Sequence, residues 1–188
     1  MARFIVGIDE VGRGALAGPL VIGAAAGFWN KENKKFLKGI RDSKKLTARQ
    51  REEWFKKFKK SRLNFYTVAI SNRLIDKKGL SWALKIGVGR LLKKIKQRPN
   101  LVYLDGGLKA PKIYRQKTII RGDDKIPFIS AAAIYAKVKR DKLMKKLDGK
   151  YPYGFKGHKG YGTKEHFDKI RRSGISGVHR KSFLRNLF

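Results

Sequence analysis

Five apolar residues, Phe4 to Ile8, run straight into Asp9 and Glu10, and Gly12-Arg13-Gly14 follows at once. No other stretch of the chain limits its fold so tightly. The apolar run reads as a buried strand, and burying a carboxylate costs several kcal/mol or more unless a cation or hydrogen bonds compensate it. Acids are scarce here, 14 Asp+Glu against 47 Lys+Arg, so two adjacent ones at a strand end need a reason. A divalent metal is one such compensation. The Gly-Arg-Gly turn beside it offers a backbone open to close approach and a guanidinium that seeks phosphate. The segment reads as half of a metal-dependent site for a phosphate ester.

The rest of the chain supplies the frame. Leu20 to Gly27 and Asn64 to Ile70 read as strands, with Gly18 and Pro19 punctuating the first connection. Thr47 to Gln50 has the spacing of a capping box, and Trp54, Phe55 and Phe58 then recur at helical intervals. Leu80, Leu84, Val88, Leu91 and Ile95 form an i, i+4 stripe, which predicts a helix with one buried face ending before Pro99. Leu101 to Leu104 and Thr118 to Ile120 are short strands, and Ser130 is placed to cap a helix over Ala131 to Leu147. Strands interleaved with helices in this order predict an α/β domain with a mixed sheet. After Gly149 the texture changes to a basic loop rich in glycine and aromatics, Tyr151 to Gly162, and a short helix near Thr163 to Arg172. One domain over 1–149, extended by a substrate-binding loop and helix over 150–188, is the economical organisation.

Three apolar strands end in acid: Asp9-Glu10, Asp105 and, past Gly122, Asp123. Sites in open α/β sheets gather at strand ends. Asp9, Glu10, Asp105 and Asp123 meeting there supply the hard oxygen ligands that suit Mg²⁺ or Mn²⁺. Asp124 is an alternate ligand, and Asp42 reads as holding the turn before Ser43-Lys44. Asp141 reads as an ion-pairing partner of nearby lysines, and Glu52 and Glu53 as acids placed for a helix macrodipole. His158, His166 and His179 lack the paired spacing of a zinc site, and there is no cysteine. Contacts to phosphate or to local backbone suit them better than catalysis.

A net charge of +33 at 188 residues favours a polyanionic partner, nucleic acid foremost. No apolar segment approaches the roughly 20 residues of a membrane span, and no signal-peptide layout opens the chain, so cytoplasm is the default expectation. A monomer is the default assembly.

With these residues in view, the chain resembles the ribonuclease HII family. The matching motifs are Gly7 through Gly14, Leu16-Ala17-Gly18-Pro19, Asp42 through Leu46, Leu104-Asp105-Gly106, Gly122-Asp123, Ile129 through Asp141, His158 through Thr163, and His179-Arg180 with Ser182-Phe183. The resemblance implies a ribonuclease H-like fold, a mixed central sheet flanked by helices, with a C-terminal helical extension. It implies metal-dependent hydrolysis of RNA in RNA/DNA hybrids, and incision 5′ to single ribonucleotides embedded in duplex DNA, leaving 3′-hydroxyl and 5′-phosphate ends, as in ribonucleotide excision repair. It assigns metal binding to Asp9, Glu10, Asp105 and Asp123, and reading of the 2′-hydroxyl to Gly12, Arg13 and Gly14. Tyr161 takes the place of the family's junction-sensing tyrosine, and Ser43 and Lys44 that of its phosphate-contacting pair. Tyr135 departs from the family, which more often has an aliphatic residue there.

Two other readings compete. A ribonuclease HIII is expected to carry an extra N-terminal substrate-binding domain, whereas this chain enters its first strand at Phe4. A basic nucleic-acid-binding protein without catalysis would explain the charge, but four acids at strand ends would repel phosphate unless metal intervened. No convincing clamp-binding motif stands in Phe183 to Phe188.

Overall fold

The structure is a computed structural model that describes residues 2–40 and 43–185. Asp42, read above as a turn residue, and residues 186–188 of the segment searched for a clamp motif lie outside the described residues.

In chain order the elements are β1 (Phe4–Val11), β2 (Leu20–Phe28), α1 (Lys31–Phe36), α2 (Ala48–Phe58), β3 (Asn64–Ile70), α3 (Asn72–Lys78), α4 (Leu80–Lys93), β4 (Leu101–Asp105), β5 (Gln116–Ile119), α5 (Gly122–Lys125), α6 (Pro127–Asp148), α7 (Phe155–His158) and α8 (Lys164–Ser173). The five strands form one sheet in the order β3-β2-β1-β4-β5. β1 pairs antiparallel with β2 and parallel with β4, so the sheet is mixed, with β1 at its centre. Helices flank it on both faces, as the sequence predicts.

Alternation along β1 decides which helix each residue meets. Phe4, Val6 and Ile8 join Leu20, Ile22, Ile70, Val88 and Leu91 in the core on the α4 side. Ile5 points the other way, into a core with Phe58, Phe128, Ala131 and Ala132 on the α6 side. That second face is built of very small residues. A Cβ added to Gly7 would lie 2.3 Å from the Phe128 carbonyl carbon, and one added to Gly23 would lie 2.6 Å from the Ala136 Cβ. The Ala131-Ala132-Ala133 run of α6 can therefore lie against β1 and β2 at backbone distance. Asp9 follows Gly7 by two residues, so it emerges on the α6 side.

Several boundaries differ from the sequence expectation. α6 starts at Pro127 with Ile126 as its N-cap, not at Ser130. Proline at a first helical position supplies a preset φ, and its missing N–H is one the helix could not use there. The Ser130 hydroxyl instead donates to Asp123 O at 2.6 Å and Ile126 O at 3.2 Å. β5 covers Gln116–Ile119 and leaves Ile120 exposed. The Thr47–Gln50 capping box forms as expected. Glu52 and Glu53 are ion-paired, with Lys142 at 2.7 Å and Arg49 at 3.2 Å, and no acid occupies the first turn of α2. Tyr135 stacks between Phe55 and Phe65, with ring centroids 5.0 and 4.9 Å away, which accounts for an aromatic residue at that point of α6.

Residues 150–185 pack on the rest of the fold. Tyr153, Phe155, Ile170 and Leu184 share a core with Leu16, Ala17 and Met144. Among the described residues, no helix is long and apolar enough to cross a membrane.

Candidate active site

Parallel pairing of β1 and β4 sets Ile8 opposite Leu104, so Asp9 and Asp105 leave neighbouring strands at the same sheet end. Past β5 the chain turns through Arg121 in a left-handed conformation (φ 54°) into the one-turn helix α5, which carries Asp123. The Gly122 N–H donates to Asp105 Oδ1 at 2.6 Å, and Ser130 holds the Asp123 carbonyl. Carboxylate oxygens of Asp9, Asp105 and Asp123 consequently lie within 4.8 Å of one another. Asp123 was expected at a strand end; it comes from a helical turn that a four-residue segment does not announce.

Glu10 stands apart from this group. Strand alternation points Asp9 and Glu10 to opposite faces unless the strand ends or bends at Glu10. β1 instead continues to Val11, with Glu10 paired opposite Ile22. Glu10 lines the same cleft and faces Arg13, whose guanidinium is 3.6 Å away.

The electrostatics of the cluster are those of a site short of positive charge. Burial pushes the Asp9 carboxyl well above its ordinary value, and the carboxylates of Glu10, Asp105 and Asp123 push it further, against the Glu10 N–H that donates to Asp9 Oδ1 at 2.7 Å. Burial also raises Glu10, with Arg13 pulling the other way. Three carboxylates this close, all hard oxygen donors, fit a divalent cation, which would relieve the repulsion and the desolvation together.

The cleft around the acids encloses about 430 Å³ and is also lined by Gly12, Arg13, Gly14, Ser43, Lys44, Arg51, Lys137 and Tyr161. All ten residues singled out from the sequence thus lie in or beside it. The Lys44 ammonium is 3.4 Å from Asp123 Oδ2, and Lys45 pairs with Asp124 at 2.5 Å; among the described residues, the converging acids are Asp9, Asp105 and Asp123, and Asp124 is not one of them. Arg51 donates to the carbonyls of Ser43 and Leu46 and so shapes the Ser43-Lys44 turn. Lys137, paired with Asp141 at 2.8 Å, lies 5.7 Å from the Tyr161 ring. Sequence reading passed over Arg51 and Lys137, because neither stands out among so many cations.

Two buried arginines support the loop from behind. Arg140 donates to the carbonyls of Pro19, Ala17 and Lys159, and Arg180 to those of Gly18 and Arg13. Gly12 has φ 90°, and a Cβ there would strike Arg140 Nε at 2.2 Å. Glycine is therefore required, both for the backbone conformation and for the space. The histidines make the local backbone contacts that the sequence suggested, with Tyr153 O, Tyr161 O and Ser176 N, but do so buried among Tyr153 and Phe155 within the extension.

Comparison with known proteins decides the family. The Ribonuclease HII family model matches residues 6–188. This chain belongs to the ribonuclease HII family. Curated ribonucleases HII from Campylobacter concisus and Caldicellulosiruptor bescii are 48% and 38% identical to it, over 96% and 98% of this chain and 92% and 88% of theirs. The crystal structure of ribonuclease H2 from Pyrococcus horikoshii OT3 superposes with a TM-score of 0.80 at 28% identity, covering 98% of this chain and 96% of that one. As a ribonuclease HII, the chain is a ribonuclease H endoribonuclease that acts on RNA/DNA.

Proposed function

We propose that this chain incises duplex DNA on the 5′ side of an embedded ribonucleotide, as well as cutting the RNA strand of longer hybrids. The observation that carries the reading is one cleft in which the Asp9, Asp105 and Asp123 cluster adjoins Gly12-Arg13-Gly14 and Tyr161. Asp9, Asp105 and Asp123 would hold Mg²⁺ or Mn²⁺, with Glu10 next to them as the remaining carboxylate. An ion bound there supplies positive charge where the attacking water and the leaving oxygen need it.

The chain's own groups do the rest. Hydrolysis joins a water oxygen to phosphorus and breaks the bond from phosphorus to O3′, so the fragments end in a 5′-phosphate and a 3′-hydroxyl. Glycines 12 and 14 let backbone donors and acceptors reach the 2′-hydroxyl, the group that distinguishes ribose from deoxyribose. The Arg13 side chain is more than half exposed and held over Glu10, placed to meet the adjacent phosphate. Lys44 and the Ser43 turn offer a second phosphate contact. The Tyr161 ring, between Lys137 and Arg140, presents a stacking face for the sugar that follows the ribonucleotide. Residues 1–149 carry the carboxylates and 150–188 the tyrosine loop, so the extension works as part of the same domain, in a protein that acts as a monomer in ribonucleotide excision repair.

A duplex labelled on the strand holding one ribonucleotide tests this. With Mg²⁺ or Mn²⁺ the expected product is a single cut 5′ to the ribonucleotide, whose 3′-hydroxyl end a polymerase can extend. Cutting 3′ to the ribonucleotide, or no cutting at all, contradicts the reading.

A further inference from the structure

Behind Tyr161 three buried histidines pack together, His166 and His179 joined by a hydrogen bond and His158 stacked on His166, and their proton positions follow from their partners. The Ser176 N–H can only donate, and it meets His179 Nδ1 at 3.0 Å, so that nitrogen is bare and His179 carries its proton on Nε2. His179 Nε2 lies 3.1 Å from His166 Nε2, so His166 accepts there and carries its own proton on Nδ1. That Nδ1–H lies 2.9 Å from the Tyr161 carbonyl, which can only accept. His158 is fixed in the same way: its Nδ1 accepts from the Gly160 N–H at 3.2 Å, its Nε2 donates to Tyr153 O at 2.8 Å, and its ring stacks on His166 at 4.3 Å. His166 and His179 are each neutral and in a single tautomer. An added proton on His166 would set two N–H groups against each other.

This chain ends on the backbone that aims the cleft tyrosine. Tyr161 bridges to Ala15 and His179 bridges to Ala17, so the two residues at opposite ends of the relay grip the same Gly12–Pro19 loop. Ala15 directly follows Gly14, and Gly160 O accepts from Leu16 N at 2.8 Å. A shift of the Tyr161 carbonyl therefore moves the tyrosine ring relative to the Gly12-Arg13-Gly14 turn.

We infer that His166 and His179 are positioning residues that set Tyr161 for recognition of the ribonucleotide junction, through the proton-ordered chain Ser176–His179–His166–Tyr161. The inference rests on the reading of Tyr161 as the junction contact. Both residues act through Tyr161 and touch neither the acids nor the scissile phosphate. Burial holds His166 neutral, its pKa lowered to about 4, which keeps the relay in the one protonation state it can use.

The readout is the ratio of kcat/KM on a duplex with one ribonucleotide to kcat/KM on a long RNA/DNA hybrid, which cancels any loss of folded protein. His166→Ala removes both bonds and is expected to lower this ratio by about tenfold, towards the value for Tyr161→Ala, since small displacements of aligned groups cost one to two orders of magnitude. His166→Asn keeps an N–H near the Nδ1 position and is expected to restore most of the ratio. His179→Ala leaves His166 in place without its donor; it should lower the ratio as well, and it serves if His166→Ala does not fold. Equal losses on both substrates in the histidine variants, with Tyr161→Ala still selective, overturn the relay. A Tyr161→Ala protein with an unchanged ratio overturns the tyrosine reading, and the relay with it.

Discussion

Asp9 shows how a single residue carries a cost for function. Its carboxyl is buried among three others, and both burial and repulsion favour the protonated form. A carboxyl whose folded pKa lies above its unfolded one gives stability below the unfolded pKa and loses it as pH rises through the folded value. At neutral pH without metal, the ionised Asp9 is therefore a burden. Asp9→Asn keeps the oxygen that accepts the Glu10 N–H and removes the charge. In chelator at pH 7.5 it is expected to stabilise the protein by about 1 kcal/mol, a rise in Tm of about 2–4 °C for a chain of this length, while abolishing cleavage. Scanning calorimetry reads it. A Tm equal to or below that of the unaltered protein would show the charge already compensated without metal.

At the scale of elements, the approach of α6 to β1 and β2 decides where the third acid stands. Gly7 makes that approach possible, because a Cβ there would collide with backbone atoms of Phe128 and Ile129. Gly7→Ala is expected to cost about 1–3 kcal/mol, as overpacked cores do, and to lower activity further by shifting α5 and Asp123 away from Asp9. Thermal unfolding and hybrid cleavage measured together check both parts; an unchanged Tm would contradict the packing. This element also marks how far the sequence could be read. The acids at the ends of β1 and β4, the capping box of α2 and the buried face of α4 are local patterns of apolar spacing and turn residues, and they were legible. Pro127 was a start signal for α6 that Ser130 drew attention from. The one-turn helix bearing Asp123 is too short to show a periodicity, the histidines are buried by packing within the extension, and the grip of Arg140 and Arg180 on the Gly12–Pro19 loop joins residues more than a hundred positions apart; no local pattern encodes them. The separation of Glu10 from the aspartates was half legible: strand alternation implies it, but only the pairing of β1 with β2 through Val11 shows that the strand does not stop earlier.

At the scale of the molecule, the chain sets a small pool of negative charge inside a strongly positive body. A net charge of +33 draws polyanions to the whole surface, and phosphate contacts by Lys and Arg add affinity through counterion release without reading sequence. Selectivity then has to come from the cleft, where the aspartates, the Gly-Arg-Gly turn and Tyr161 converge. The aspartates would repel the phosphate that the rest of the surface attracts unless a cation lies between them. The most direct measurement is the initial rate of RNA/DNA hybrid cleavage against Mg²⁺ or Mn²⁺ concentration, for the protein and for Asp105→Asn side by side. Expected are no cleavage in chelator, a saturating rise with metal, and a loss of at least about a hundredfold in the variant at every metal concentration. Cleavage that persists in chelator, or an Asp105→Asn protein that cuts as fast as its parent, would contradict the account.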